Sequence, residues 1–173
     1  INVNAMNNDY ETPLIFSFKF NNEEFITKLL SLDGMINPNC CEKATGNTPL
    51  HLSIILKSEI LTRRLLKLQR CETLKNKLQE SNSFSYEFDP QVDVNSQNLK
   101  GLTALHIAAQ MKSDILVRVL LTSPNILADI VDFTLNRCPI HYSAVSRGGC
   151  FLGMKIFNPY MYDLSKFSNT IFS

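Results

Sequence analysis

The chain has 173 residues, of which 45 % are apolar and 19 % are charged. This composition is typical of a folded domain and excludes a disordered tail or a disulfide-rich miniprotein. Seventeen basic and sixteen acidic residues give a net charge of +1, which excludes a strong overall attraction to nucleic acid or to an anionic membrane. Apolar runs are only a few residues long, far below the ~20 that span a bilayer. We therefore expect neither direct nucleic-acid binding nor membrane insertion.

The start of the chain and its cysteines favour a segment of a longer intracellular protein. The chain begins at Ile1, without an initiator methionine and without a basic and apolar leader. Its five cysteines form no CxxC pair, and no Asn-X-Ser/Thr glycosylation acceptor occurs. Both features fit a reducing compartment, cytoplasmic or nuclear. We expect no metal and no cofactor, because no nearby histidine completes a ligand set with the adjacent Cys40 and Cys41.

A four-residue pattern recurs along the chain and sets its organisation. It occurs at Thr12-Pro13-Leu14-Ile15, Thr48-Pro49-Leu50-His51, Thr103-Ala104-Leu105-His106 and Cys138-Pro139-Ile140-His141. Successive copies begin 36, 55 and 35 residues apart. A Thr hydroxyl can cap a helix and Pro is favoured at the first helical position, so each copy predicts a helix start. Such short helices are marginal alone, so they are expected to pack against neighbouring repeats.

These tetrads, together with the paired leucines that follow three of them, resemble the ankyrin repeat. The pairs are Leu29-Leu30, Leu65-Leu66 and Leu120-Leu121. The resemblance covers residues 1–148 and implies an all-α solenoid of about four helix-turn-helix repeats with short β-hairpin finger loops. It places the repeats near residues 6–38, 41–78, 96–128 and 131–150.

The long spacing between the second and third tetrads predicts an insertion at about residues 69–92. Residues 79–89 of this segment are polar and precede a proline, so we expect a loop there. We assign residues 1–150 to the repeat domain. Residues 151–173 lack paired leucines and carry Gly153 and Pro159, so we expect a divergent C-terminal tail or a degenerate cap.

The three histidines occupy one slot of the tetrad and are not expected to do chemistry. His51, His106 and His141 would lie one repeat apart, too far from one another to share a metal ion. We expect each ring to hydrogen-bond between neighbouring turns and to stabilise the stack. No nucleophile elbow, P-loop or metalloprotease motif occurs, so the chain is not expected to be an enzyme. The seven basic residues within 57–77 lack interleaved aromatic residues and are interpreted as a solvated helix face.

The resemblance also implies where a partner would bind. Ankyrin-like proteins bind partners on the concave side, formed by the finger tips and the exposed end of each first helix. The candidate groove residues are Phe20, Ile55, Leu56, Gln110 and Met111, and the candidate finger-tip residues are Asp9, Tyr10, Glu42, Lys43, Asn98 and Lys100. We predict that Phe20, Leu56 and Met111 form an apolar row; the alternative is that they turn inward and complete the core. Residues 1–56 carry six acidic and three basic side chains, which favours a basic or amphipathic partner segment.

The sequence therefore predicts a non-enzymatic protein–protein interaction module, monomeric and part of a longer chain. The segment Val94-Asn95-Ser96-Gln97-Asn98-Leu99, placed after an insertion and before a tetrad, is similar to the ankyrin block of IκB and Rel-precursor proteins. That similarity implies an inhibitor of Rel/NF-κB transcription factors. The alternative is the substrate-recruiting segment of a larger enzyme, such as a ubiquitin ligase or an acyltransferase.

Overall fold

A computed structural model describes residues 2–32, 35–68 and 92–144 of the chain. Helices occupy these ranges and no β-strand is present within them, which confirms the predicted all-α fold. The helices are α1 Pro13–Lys19, α2 Glu23–Leu30, α3 Pro49–Ile55, α4 Glu59–Leu68, α5 Ala104–Gln110, α6 Asp114–Leu121 and α7 Pro139–Ala144. Residues 69–91 of the predicted insertion and the predicted tail at 151–173 lie outside the described residues.

Each predicted tetrad begins a helix, and the residue chemistry explains why. The backbone N–H of Ile15 donates to the hydroxyl of Thr12 at 3.4 Å, and the N–H of His106 donates to the hydroxyl of Thr103 at the same distance. These bonds satisfy one of the amides that every helix start leaves without an intrahelical partner. In α1, α3 and α7 a proline fills the first helical position, where it has no amide to satisfy.

The turn between paired helices requires a left-handed backbone residue in every complete pair. Asn21, Lys57 and Lys112 fill this position, with φ between 51° and 56°. Asparagine tolerates this conformation at little cost, whereas lysine is strained by its Cβ. The turn therefore reverses the chain within two or three residues and brings the second helix alongside the first.

The helices form two layers. The first helices of the repeats, α1, α3, α5 and α7, pack in chain order, and the second helices α2, α4 and α6 pack in the same order behind them. The core lies between the layers and includes leucines of every pair that are at most 7 % exposed: Leu29, Leu30, Leu65, Leu120 and Leu121. The insertion does not interrupt this order, because α5 packs against α3 directly.

Asparagine side chains join the loops of consecutive repeats. Asn4 donates to the carbonyl of Met35 at 2.7 Å and accepts from the amide of Asn37 at 2.8 Å. Asn95 repeats the arrangement with Asn125 and Leu127 in the next repeat. These two residues are the asparagines of the Val-Asn pairs that precede the first and third tetrads. Each fixes the spacing between neighbouring repeats at the loop end of the stack.

Candidate protein-binding surface

Four loops precede the first helices, at residues 7–11, 42–47, 98–102 and 132–137, and are called finger loops 1 to 4. A backbone hydrogen bond closes each of them, from the first residue to the carbonyl of the last, at 2.9–3.0 Å. Loops 1 and 3 span five residues, whereas loops 2 and 4 span six. They are tight turns without strands, so their tips project side chains from a short, fixed backbone.

Finger loops 2, 3 and 4 are bonded to one another. The amide of Leu99 donates to the carbonyl of Thr45 at 3.0 Å, and the amide of Phe133 donates to the carbonyl of Lys100 at 3.2 Å. The side chain of Asn98 donates to Asn47 at 2.9 Å. These bonds hold finger loops 2, 3 and 4 against one another as one surface.

Two of the predicted finger-tip residues have different environments. Asn98 is buried, and its side-chain oxygen accepts from the amides of Lys100 and Leu102 at 3.0 Å. Its amide group is used inside the fold, so its role is to hold the loop. Lys100 is exposed at the tip of the same loop and remains accessible to a partner.

Two histidines link consecutive repeats, as the sequence predicts. The Nδ1 of His51 accepts from the amide of Thr48 at 3.2 Å, and its Nε2 lies 2.9 Å from the carbonyl of Leu102 in the next repeat. Because a carbonyl only accepts, Nε2 carries the proton and Nδ1 is the acceptor. His106 bonds in the same way to the carbonyl of Arg137 at 2.9 Å. Burial lowers the pKa of both rings, so the neutral form is favoured.

The predicted groove residues divide into two slots with different exposure. The slot seven residues after each tetrad start is exposed and holds Lys19, Ile55 and Gln110. The slot eight residues after it holds Phe20, Leu56 and Met111. Leu56 and Met111 are half-buried and pack against the core, whereas Phe20 is 69 % exposed. Among the predicted groove residues, the accessible ones are therefore Ile55 and Gln110 of the seventh slot together with Phe20.

A charged cleft of about 480 Å³ separates finger loops 1 and 2. It is lined by Asp9, Lys19, Glu42 and Lys43 among others. Lys19 reaches across it to the buried Glu11, with Nζ 2.5 Å from Oε1. This bond to Glu11 raises the pKa of Lys19, and the carboxylates of Glu42 and Asp9 add to the effect. Glu11 matches the positive charge of Lys19, and Lys43 offsets one of the two remaining carboxylates, so Asp9 and Glu42 leave the lining of the cleft with a net charge of −1.

Tyr10 and Lys43 form a contact between the same two loops. The Nζ of Lys43 lies 4.4 Å from the centre of the Tyr10 ring, within the range of a cation–π interaction. Tyr10 is exposed and has φ 63°, the left-handed conformation that Gly46 and Gly101 adopt in the corresponding turns. The strained backbone thus presents an exposed aromatic ring beside Lys43, which lines the cleft.

The finger loops also carry apolar tips that the sequence prediction missed. Leu99, Phe133 and Leu135 are each more than half exposed on loops 3 and 4. Their position just before a tetrad was the available signal, since a large apolar residue in a polar turn has no core to enter. They extend the accessible surface beyond the acidic cleft towards the last described repeat.

One buried carboxylate holds finger loop 4. Burial opposes the ionisation of Asp132, but hydrogen bonds from Thr134, from the amide of Leu135 and from Tyr142 outweigh it and keep its pKa well below its usual range. The carboxylate accepts bonds from both the loop and the following helix. It is a structural anchor for the loop and not a free acid.

The opposite side of the stack is charged and solvated where it is described. Arg63 on α4 is exposed and its Nε lies 2.7 Å from the carboxylate of Glu59, an i,i+4 pair on the helix surface. Of the seven basic residues in the 57–77 stretch, the four that precede residue 69 are described, and those at 70, 75 and 77 lie outside the described residues. Within the described ranges, no helix is long and apolar enough to cross a membrane, and no group of three potential metal ligands occurs.

Comparison with known proteins identifies the architecture. Residues 100–132 match the family model of the ankyrin repeat. The solved ankyrin repeat domain of Bcl-3, described as a unique member of the IkappaB protein family, is 22 % identical and superposes with a TM-score of 0.62 over 88 % of this chain. An ankyrin repeat domain from Acinetobacter baumannii AYE is 17 % identical, with a TM-score of 0.67 over 90 % of this chain.

The chain is shorter than these two structures. It spans 55 % of the Bcl-3 domain and 66 % of the bacterial domain. No curated protein matches it. At these identities the two likenesses show the fold, and the family match identifies the repeat within it. The chain therefore has the fold of an ankyrin repeat domain, and residues 100–132 match the repeat itself.

Proposed function

We propose that the chain is a protein–protein interaction module that binds a partner polypeptide along its first helix layer and finger loops. The main support for this proposal is a continuous surface of accessible side chains. It begins at the cleft of Asp9 and Glu42, includes Ile55 and ends at the exposed tips of finger loops 3 and 4. Ankyrin repeat domains in general bind other proteins, and this surface offers both apolar area and charge.

The charges of this surface favour a basic or amphipathic partner segment. Asp9 and Glu42 line the cleft together with Lys43, and the other lysine of the lining, Lys19, is paired with Glu11, so the lining keeps a net negative charge. A partner could place its positive end in the cleft and its apolar side against Ile55, which is 43 % exposed. Complementary charge speeds association and selects orientation, while the apolar anchor supplies most of the affinity.

We further propose an IκB-like role as the finer form of this function. The fold likeness to the Bcl-3 domain and the acidic character of the first two finger loops support it. In this role the partner is a Rel-type transcription factor with a basic localisation segment, and the chain acts in the cytoplasm or nucleus. Pull-down with a purified Rel-homology dimer, compared with an unrelated basic protein, tests this finer proposal without affecting the general one.

Binding of a synthetic helical peptide tests the general proposal. The probe carries Lys on one face and Leu on the other, and the matched control peptide carries Glu in place of Lys. We expect fluorescence anisotropy to show binding of the Lys peptide, and Ile55→Glu to weaken it about tenfold.

The matched control variant is Ile60→Glu, which introduces the same charge at an exposed isoleucine on α4, behind the first layer. It should leave the affinity unchanged. Equal loss in both variants, or tighter binding of the Glu peptide, would contradict the proposed surface.

A further inference from the structure

We propose that the outer face of the first repeat is a stacking face whose occupant is one more helix-turn-helix repeat. The face consists of Phe16, Phe20 and Phe25, which are 47 %, 69 % and 46 % exposed. Their rings line one cleft along α1 and α2. Large exposed apolar patches on folded domains mark contact surfaces, and repeat stacks normally end in a polar capping unit.

The internal symmetry of the chain identifies what this face does. The three phenylalanines stand four, eight and thirteen residues after the start of the first tetrad. The same slots hold Leu52, Leu56 and Leu61 in repeat two, and Ile107, Met111 and Leu116 in repeat three. All six of these side chains belong to the core or pack against it, and Leu61 and Leu116 are at most 2 % exposed.

The preceding repeat is what covers these slots in repeats two and three. Helix α3 packs against α1, α5 packs against α3, and α4 and α6 pack against the second helices before them. In repeat four the first of the slots holds Tyr142, whose ring stands edge-on to His106 of repeat three with the centroids 5.7 Å apart. The slots therefore form the receiving side of each junction between repeats, and in repeat one no part of the chain that the structure describes covers that side.

The exposed face is concave and mostly apolar. A cleft of about 790 Å³ runs along it, lined by Met6, Pro13, Phe16, Phe20, Asn22 and Phe25. The rings of Phe16 and Phe20 are in contact, with their centroids 4.7 Å apart. Phenylalanines fill more volume than the leucines of repeat two, so the occupant is expected to present smaller side chains than α1 and α2 present to repeat two.

We propose a helical repeat as the occupant, because the equivalent face of each later described repeat packs against the repeat before it. A second copy of the chain would have to place its own phenylalanines against these, face to face, and would form a dimer. The three slots lie on both helices of repeat one. An extended partner segment has no pair of helices to pack against them.

A chain extended by a duplicate of its own first repeat tests the proposal. Residues 1–36 are fused ahead of residue 1, so that the new tetrad precedes the first by 36 residues, as the first precedes the second. A second version also carries Phe16→Leu, Phe20→Leu and Phe25→Leu, which reproduces the receiving face of repeat two. A control version carries Ile26→Asp in the duplicate alone, because Ile26 is fully buried and its replacement prevents the added unit from folding.

We expect the extended chain, in at least the leucine version, to melt about 5 °C or more above both the original chain and the Ile26→Asp control. We also expect Phe20→Ser to leave the melting temperature of the original chain unchanged. The proposal is overturned if neither extended version melts above the control. It is also overturned if sedimentation shows that the original chain is a dimer and that Phe20→Ser makes it a monomer.

Discussion

Acidification below about pH 6.5 should destabilise this protein through two buried histidines. His51 and His106 are at most 1 % exposed, and each ring bonds its own helix start to the carbonyl of the next repeat. Burial lowers the pKa of both from the ordinary value of 6.5. A protonated ring would lose the acceptor at Nδ1 and would place a positive charge between repeats.

The sign and the size of the effect follow from proton linkage. As the pH falls, the unfolded chain takes up protons on these rings before the folded chain does. The stabilisation is therefore complete above the unfolded value and is lost as the pH falls towards the folded pKa values. Each histidine contributes a slope of up to about 1.4 kcal/mol per pH unit within that window, so the two together give up to about 2.7 kcal/mol per pH unit.

Urea unfolding measured between about pH 7.5 and 5.5 checks this prediction, because the carboxylates titrate mainly below that window. The original chain should lose stability across it, and the double variant His51→Gln with His106→Gln should have a nearly flat profile. His141→Gln is the matched control, because His141 is exposed. A flat profile for the original chain, or an equal slope in the double variant, would refute the argument.

Three further changes test the packing, each measured by urea or thermal unfolding. Leu105→Ala should lower the free energy of unfolding by about 2–5 kcal/mol, because Leu105 is fully buried. Thr103→Ala should lower it by about 1 kcal/mol through the loss of the helix cap. A larger loss for Thr103→Ala than for Leu105→Ala would contradict the placement of the tetrad. Gly101→Ala should destabilise by about 1 kcal/mol or more, since φ is 78° and a Cβ would come within 2.3 Å of the next finger loop; an unchanged midpoint would contradict this. Leu56→Ser should lower the melting temperature by several degrees, whereas Phe20→Ser should not, and equal losses would show that both side chains are core.

The helix starts could be predicted because their causes are local. A threonine cap, a proline and a leucine within four residues are enough to place Thr12 or Thr48 at a helix start, whatever the rest of the chain does. The histidine role could be predicted for a similar reason, since the same residue recurs in the same slot. The stack then follows, because such short helices must bury their apolar faces against one another.

The apolar row was harder to place, because it depends on which side of a helix each slot faces. Positions four and eight after the tetrad start lie on the same side of an α-helix, so Leu56 faces inward with Leu52. Position seven is rotated by about 100° from position eight around the helix axis, which leaves Ile55 accessible. Phe20 occupies the same slot as Leu56 but is 69 % exposed, because no repeat precedes its own within the described residues.

Contacts between distant loops could not be predicted from the sequence. The bond from Asn98 to Asn47 joins residues that the insertion separates, and no local pattern indicates it. The same is true of Phe133, whose amide pairs with the carbonyl of Lys100. The sequence indicates that finger loops occur, while their mutual register depends on how the repeats stack.

Binding of a partner by the first helix layer and the finger loops can be mapped by the changes that the partner causes in the amide chemical shifts. The Lys-Leu peptide is titrated into isotopically labelled chain. We expect the largest chemical-shift changes at Asp9, Glu42, Ile55 and neighbouring residues of that surface, and little change on α4 and α6. Shifts concentrated on α4 and α6, or none at saturating peptide, would contradict it.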